Sequence, residues 1–206
     1  DHRFSDHDSV GFRFNVTKFY ETNQNLAALV GVSRGYVNDT FDTTALLNWT
    51  HSFTPAVVNE ARVQFNYNNP LVASNDPYGP ALEIAGYGFF NRDRFLPSDV
   101  ITRREDLADN LTWVRGTHTF KAGIYFEHTQ KIQSATTPVR GTLSFSADGN
   151  NPLDSNNAYA NALLGNYDTY AEATGRPQGN FLFTNTEFFV QDTWRVRKSL
   201  SLDYGV

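Results

Sequence analysis

Short turns alternate with long connections along this chain, and this rhythm limits the folds that the sequence can adopt. Four tight turns join pairs of predicted strands, at residues 5–8, 53–57, 115–118 and 195–199. Long connections separate these pairs, at residues 21–40, 70–104 and 132–165. Connections between elements usually have about four to six residues. A barrel or sandwich in water has no reason to keep its short turns at one end. A transmembrane β-barrel has short periplasmic turns and long extracellular loops.

The segments beside the turns show the two-residue alternation of β-strands. Phe12 and Phe14 flank Arg13, and Ile124 and Phe126 belong to a later segment of the same kind. Several of these segments are long enough to cross a bilayer as tilted strands, which takes about 9–11 residues. Strands of proteins in water are most often about five or six residues long. The chain also has 17 Phe, 10 Tyr and 3 Trp, residue types that favour strands.

Composition excludes several classes of protein. Charged residues make up 19% of the chain and the net charge is −5, without a block of Lys or Arg, so we predict no nucleic-acid partner. No run of 18 apolar residues suggests a transmembrane helix. Cysteine is absent, which excludes disulfides and thiolate metal sites. Methionine is also absent, no signal-peptide pattern opens the chain, and both ends fall within predicted strands. We therefore interpret the chain as an internal part of a longer protein.

The sequence contains no pattern typical of catalysis or of metal and cofactor binding. The histidines, none of which forms a helical pair, are His2, His7, His51, His118 and His128. The cluster of Asp and Asn at 148–154 lacks the glycine and terminal glutamate of a calcium-binding loop. No nucleophile, base and orienting group occur together. We therefore predict that the chain is not an enzyme, with no catalytic residue, metal ligand or cofactor.

Each of the three tryptophans, Trp49, Trp113 and Trp194, comes shortly before a short turn. Tryptophan concentrates at membrane–water interfaces, where the ring is buried and the N–H stays hydrated. We predict that these residues form an interfacial girdle at the short-turn end. The alternative is that each is an ordinary core tryptophan.

The polar positions of the predicted strands are the better functional candidates. We expect them to line a lumen or contact a plug, and they comprise Arg13, Arg62, Gln64, Asn66, Lys121, Glu127 and Glu187. The alternative is a solvated sheet face without a further role. The long loops carry aromatic residues that could contact a ligand or pack the loops together, namely Tyr36, Tyr78, Tyr87, Phe89, Phe90 and Phe95. One short helix is predicted at 157–165, capped by Ser155 or Asn156 and ended by Gly165.

Several stretches resemble hairpins of TonB-dependent outer-membrane receptors, in particular the Oar-like group. They are residues 113–123 (WVRGTHTFKAG), 190–196 (VQDTWRV) with 200–206 (LSLDYGV), 1–6 (DHRFSD) and 49–60 (WTHSFTPAVVNE). Phe145 and residues 162–165 (ALLG) resemble the next long loop. The resemblance covers nearly the whole chain, in order.

The resemblance implies an antiparallel transmembrane β-barrel with long extracellular loops in the outer membrane. Such receptors have about 22 strands and a plugged lumen. Residues 1–206 would supply about eight or nine of those strands as a partial barrel domain without a plug domain. The implied function is ligand uptake across the outer membrane. The implied partners are outer-membrane lipid, the plug domain of the same protein, the TonB complex and a ligand that the sequence does not identify.

Two other functions remain compatible with the sequence. One is an outer-membrane scaffold or adhesion barrel that transports nothing. The other is a soluble all-β domain that binds carbohydrate or acts as an enzyme, in which the apolar strand faces would point inward.

Overall fold

A computed structural model describes the whole chain, from Asp1 to Val206. In chain order, the elements are β1 (His2–Arg3), β2 (Asp8–Gln24), β3 (Tyr36–Thr54), β4 (Val57–Ser74), β5 (Ala81–Ile84), β6 (Gly88–Phe90), β7 (Ser98–Arg115), β8 (His118–Ser134), β9 (Thr142–Phe145), α1 (Ala158–Leu164), β10 (Thr169–Ala171), β11 (Gln178–Arg197) and β12 (Leu200–Gly205). A single turn of 3-10 helix spans Val32–Arg34. No helix is long and apolar enough to cross a lipid bilayer.

Eight strands form one sheet, here called the main sheet, in the order β1-β2-β3-β4-β7-β8-β11-β12. All of its neighbouring strands are antiparallel. The six long strands β2, β3, β4, β7, β8 and β11 have 17 to 20 residues each. The edge strands β1 and β12 do not pair with each other, so the sheet is open. The predicted antiparallel β-fold is confirmed, with eight strands in the main sheet.

All four short turns lie at one end of the main sheet, because short and long connections alternate between its antiparallel strands. The turn between β7 and β8 consists only of Gly116 and Thr117, and Gly116 has a positive φ of 62° that favours glycine. The long connections at the other end occupy residues 25–35, 75–97 and 135–177.

Most of the long strands reach further into the predicted connections than the sequence indicates, but β11 begins only at Gln178, so the third connection extends beyond the predicted 132–165. Strand β4 continues to Ser74 through Pro70, at which the sequence predicts the start of a connection. Pro70 remains paired with Thr40 of β3, while the pairing with β7 is interrupted between Asn68 and Leu71. A proline lacks the N–H needed for one ladder, so it is tolerated where that ladder is already broken.

The long connections form a second sheet, here called the loop sheet, that the sequence did not predict. Its order is β10-β9-β5-β6, and β5 runs parallel to β9. Its strands have only three or four residues each. The parallel pair joins two connections that are far apart in sequence, so no local pattern indicates it. Ile84, Phe145 and Ala158 form its core, with Leu82 and Leu143 packed against them.

Helix α1 packs on this core and lies where the sequence predicts a helix. Gly165 ends it in the left-handed conformation, with φ of 76°, as expected. The predicted caps are wrong, because Asn157 is the cap and its side chain accepts a hydrogen bond from Ala160 N at 3.0 Å. Asn156 instead adopts a positive φ of 58°, and the Ser155 hydroxyl donates to Asn161 Oδ1 at 2.7 Å.

The buried apolar residues lie in the loop sheet and its connections, and they are Ala81, Ile84, Leu96, Phe145 and Ala158. In the main sheet, the single buried residue is the polar Asp192. The main sheet therefore has no apolar core of its own, and many of its large hydrophobic side chains are exposed.

Candidate functional site

The main sheet has one apolar face and one polar face, and the pairing register shows which residues share each. On the apolar face, one row crosses five strands through Phe12, Leu47, Val63, Leu107 and Phe126. All five side chains are exposed. A second row is displaced by one residue along each strand and therefore lies on the opposite face. It comprises Arg13, Leu46, Gln64, Asp106, Glu127 and Asn185. The two rows follow from strand alternation alone.

The structure brings together the residues that the sequence selected as possible lumen lining. Register places all of them on the polar face, namely Arg13, Arg62, Gln64, Asn66, Lys121, Glu127 and Glu187. Arg62 Nε donates to Asn48 Oδ1 at 3.3 Å, and Asn66 Nδ2 donates to Thr44 Oγ1 at 2.9 Å. Their role as lumen lining stays a prediction.

A hydrogen-bond network around Asp106 connects three strands on the polar face. Tyr125 Oη donates to Asp106 Oδ1 at 2.9 Å and to Glu127 Oε2 at 3.1 Å. Gln64 Nε2 and Arg104 Nε donate to Asp106 Oδ2 at 3.0 and 3.1 Å. Every oxygen of the Asp106 carboxylate therefore has a partner.

Sequence reasoning did not select Asp106, Arg104 or Tyr125. The useful signal is the position of Asp106 directly across from Gln64. That signal appears only when the pairing of β4 with β7 is known.

The polar face also carries an apolar patch on β11. Phe181, Phe183 and Phe189 alternate with the residues of the apolar face and share the polar face with Glu187. All three rings are exposed. This part of the face offers aromatic surface for contact with another group.

The three tryptophans lie on the apolar face, toward the short-turn end. Trp49 Nε1 donates to Asp8 Oδ1 at 3.2 Å. The Arg115 guanidinium lies 5.5 Å from the Trp113 ring centre. Each tryptophan remains partly exposed and is close to a polar group or a turn. An interfacial girdle stays a prediction, and the geometry is compatible with it.

Two histidine–aspartate pairs lie among these aromatic rings. His51 Nδ1 is 2.7 Å from Asp8 Oδ1, and His118 Nδ1 is 2.7 Å from Asp192 Oδ2. Tyr204 Oη donates to the same Asp192 oxygen at 2.6 Å. The sequence did not identify the carboxylate partners of these two histidines. These partners lie on other strands, so spacing along the chain does not indicate them.

The loop aromatic residues have different surroundings. Phe89 lies under the Arg34 guanidinium at 5.6 Å, and Phe95 lies under that of Arg94 at 4.6 Å. The Tyr87 ring is 5.3 Å from another tyrosine ring in α1, and its hydroxyl accepts a hydrogen bond from the helix cap. Phe89 and Tyr87 therefore connect different loops, whereas the Phe95 ring contacts its neighbour in the chain. Tyr78 is 73% exposed and remains available to a ligand.

An ion-pair network joins the first long connection to the second. Arg34 Nη2 is 3.0 Å from Glu83 Oε1, and Arg34 Nε is 3.3 Å from Asp93 Oδ2. Arg34 Nη1 also donates to the Arg92 carbonyl at 3.2 Å. Burial of this arginine is therefore compensated by two carboxylates and a carbonyl.

Comparison with known proteins identifies the class to which this architecture belongs. The family model described as "outer membrane beta barrel domain" matches residues 1–206. The crystal structure of the outer membrane transporter YddB from Escherichia coli is similar, with a TM-score of 0.62 and 9% sequence identity. The similarity covers 98% of this chain and 25% of the YddB chain. No curated protein matches significantly by sequence.

Proposed function

The chain belongs to the family of outer membrane β-barrel domains, and on this basis we propose that it forms part of the barrel of a TonB-dependent, Oar-like receptor that takes up a ligand. Its location is the outer membrane. The observation that supports the proposal best is that the main sheet has two chemically different faces and two different ends. One face is apolar, the other is polar, and the long connections at one end fold into a sheet of their own.

The apolar face is proposed to contact lipid. An exposed row of five apolar side chains is unfavourable in water but is favourable against acyl chains. The polar face would then line the lumen, where the Asp106 network and the phenylalanines of β11 would contact a plug domain. The open edges of the main sheet would pair with further strands, because unpaired backbone groups are not tolerated in lipid.

The loop sheet is proposed to lie outside the cell. The long strands have 17 to 20 residues, which is more than the roughly 9–11 needed to cross the bilayer. The excess would raise the loop sheet above the membrane at the end opposite the short turns. Ligand would be captured there, and TonB would supply the energy for passage past the plug.

Single cysteines test the two faces and the orientation, because the chain has no cysteine of its own. Neighbouring residues of β4 provide a matched pair. In the full-length protein we expect Gln64→Cys to react with a small hydrophilic maleimide and Val63→Cys to resist it. Equal reactivity of both would contradict the assignment of the faces.

Two further cysteines test the direction of the barrel. Tyr78→Cys should react on intact cells with a maleimide that cannot cross the outer membrane. Thr117→Cys in the short turn should react only after the outer membrane is permeabilised. The reverse result would place the loop sheet in the periplasm and contradict the proposed capture of ligand from outside.

Transport itself is tested by binding and energy coupling. We expect the full-length protein to bind the periplasmic domain of TonB and to deplete a component of the medium only in cells with active TonB. A full-length protein that neither binds TonB nor takes up any solute would instead be a structural or adhesion barrel.

A further inference from the structure

A cavity of about 310 Å³ lies beside the loop sheet, where β4 ends and the second and third long connections meet. Its lining includes Ser74, Arg92 and Arg140, with Pro77 and Pro97 among the remaining residues. Ser74 belongs to the polar face, since it is an even number of residues from Gln64 along the unbroken register of β4 with β3. Ala73, which lines the same cavity, belongs to the other face, so the cavity lies at the end of β4 rather than on one face of the main sheet.

Two buried arginines in this region differ in whether a carboxylate balances their positive charge. Arg34 is 6% exposed and has Glu83 and Asp93 as ion-pair partners. Arg92 is 4% exposed, but no carboxylate lies within ion-pair distance of it. Its one side-chain hydrogen bond goes from Nη2 to the Leu96 carbonyl, which leaves Nε and Nη1 without a protein acceptor. A buried charge without a counter-charge is unfavourable unless another group neutralises it.

Two more arginines increase the positive charge around Arg92. Arg176 Nη2 donates to the Phe95 carbonyl at 2.6 Å, next to the carbonyl that Arg92 uses. Arg140 lines the same cavity and, like Arg176, has no ion-pair partner. Burial lowers the pKa of Arg92, and the charges of Arg140 and Arg176 lower this pKa further.

The nearest acidic group is already engaged elsewhere. Asp93 partly counteracts the lowered pKa of Arg92. However, its Oδ2 is 3.3 Å from Arg34 Nε, and its Oδ1 accepts a hydrogen bond from Phe95 N at 2.9 Å. Both oxygens of the Asp93 carboxylate therefore already have partners. Arg92, Arg140 and Arg176 consequently have no carboxylate as an ion-pair partner.

The Ser74 hydroxyl is a second, independent feature of the cavity. Its Oγ is buried and has no hydrogen-bond partner. Buried hydroxyl groups almost always have a partner, so an unpaired one requires an explanation. A hydroxyl can donate to the oxygen of an anion that occupies the cavity.

We propose that this cavity binds an oxyanion group, a carboxylate or a phosphate, through Arg92, Arg140 and the Ser74 hydroxyl. Planar guanidinium groups match the oxygen spacing of carboxylate and phosphate and bind them through charge-assisted hydrogen bonds. Arg176 adds positive charge from the side. Because the cavity lies among the long connections, beyond the strands proposed to cross the bilayer, the anion is a solute rather than a lipid head group.

This inference rests on the proposed function in one respect, namely that the anion is part of the imported ligand. Binding of the anion depends on the loop region alone. If TonB coupling fails while anion binding persists, the site stands and import of an anionic ligand is refuted.

The test is calorimetric titration of the full-length protein in detergent with inorganic phosphate and with citrate, at constant ionic strength. We expect saturable binding of at least one probe at one site per chain. Arg140→Gln should weaken it by at least about tenfold, since charge-assisted hydrogen bonds are the stronger kind. Arg140 is exposed, so its replacement should leave the fold intact. Ser74→Ala should weaken binding by a smaller factor.

Arg197→Gln is the matched control, because it removes one exposed positive charge at the opposite end of the main sheet. It should leave the affinity unchanged. Equal effects of Arg140→Gln and Arg197→Gln would overturn the proposal, as would the absence of saturable binding for both probes. A parallel titration with lipopolysaccharide tests the lipid source. Arg140-dependent binding of lipopolysaccharide without binding of either solute would also overturn it.

Discussion

The main sheet and the loop sheet place their apolar residues in opposite ways. In the loop sheet, Ile84, Phe145 and Ala158 are buried against each other, as in the core of a domain in water. In the main sheet, large apolar side chains such as Phe14 and Phe188 project outward and are exposed. The same hydrophobic effect explains both arrangements when the surroundings differ. The loop sheet excludes water with its own side chains, whereas in the proposed barrel the main sheet would rely on lipid to do so.

The largest expected effect comes from removing the central ring of the loop sheet. Phe145→Ala should destabilise the loop sheet by about 3–5 kcal/mol, because it leaves a cavity in a small core. We expect faster hydrogen exchange in β5 and β9 of the full-length protein, with exchange in the main sheet unchanged. Phe188→Ala is the control, since Phe188 is 79% exposed and has little packing within the chain to lose. Equal loss of protection in both variants would remove the contrast between the sheets.

A charge on the apolar face should have the next largest effect. Phe14→Arg should destabilise the full-length barrel by about 2–4 kcal/mol if its position is mid-bilayer. Arg13→Gln on the polar face should be nearly silent. Denaturant titrations of both variants refolded in lipid vesicles measure the difference. Similar stability of the two would mean that the apolar face does not contact lipid.

The third largest effect is expected at Asn161, a buried polar residue of helix α1, which packs on the loop sheet. Asn161 donates from Nδ2 to the Ser146 carbonyl at 2.8 Å, and its Oδ1 accepts from Ser155 N at 2.9 Å. Asn161→Ala removes the hydrogen bonds of a buried amide group and should cost about 1–3 kcal/mol. Hydrogen exchange at α1 reports the loss. Asn150→Ala is the control, because Asn150 bonds only within its own exposed turn.

The smallest effect tests whether the apolar face is uniform. Ile124 lies directly across from Asp109, which shares its face. An arginine at 124 can pair with this carboxylate, and a cross-strand ion pair contributes about 0.2–1 kcal/mol. Ile124→Arg should therefore destabilise the barrel less than Phe14→Arg by about that amount. In the background of Asp109→Asn, Ile124→Arg should destabilise the barrel as much as Phe14→Arg does. If Ile124→Arg remains the milder substitution, its depth in the bilayer is responsible instead of the ion pair.

Much of the main sheet could be predicted because its signals are local. Alternation of Phe12, Arg13 and Phe14 predicts both the strand and its two faces. The short turns indicate which strands form hairpins, and the length of each turn fixes the register within its hairpin. The polar positions selected from the sequence consequently share one face in the structure.

The loop sheet and the details of the candidate site could not be predicted in this way. Strands β5 and β9 are four residues each, too short to show a period, and they pair across a long stretch of chain. Asp106 meets Gln64, and Asp192 meets His118, only through cross-strand pairing. Residues 157–165 predict the helix. Its cap could not be predicted, because the conformation of the preceding turn decides whether Ser155, Asn156 or Asn157 caps the helix.

The sequence by itself determined that this chain forms long antiparallel strands with unlike faces and connections that are short at one end and long at the other. It did so because alternation and turn chemistry act between residues close together in the chain. Only the tertiary structure decided that the long connections build a second sheet, that Arg34 has two carboxylates, and that Arg92 has none. Those outcomes depend on distances between distant segments, and electrostatic compensation of a buried charge follows from such distances rather than from order along the chain.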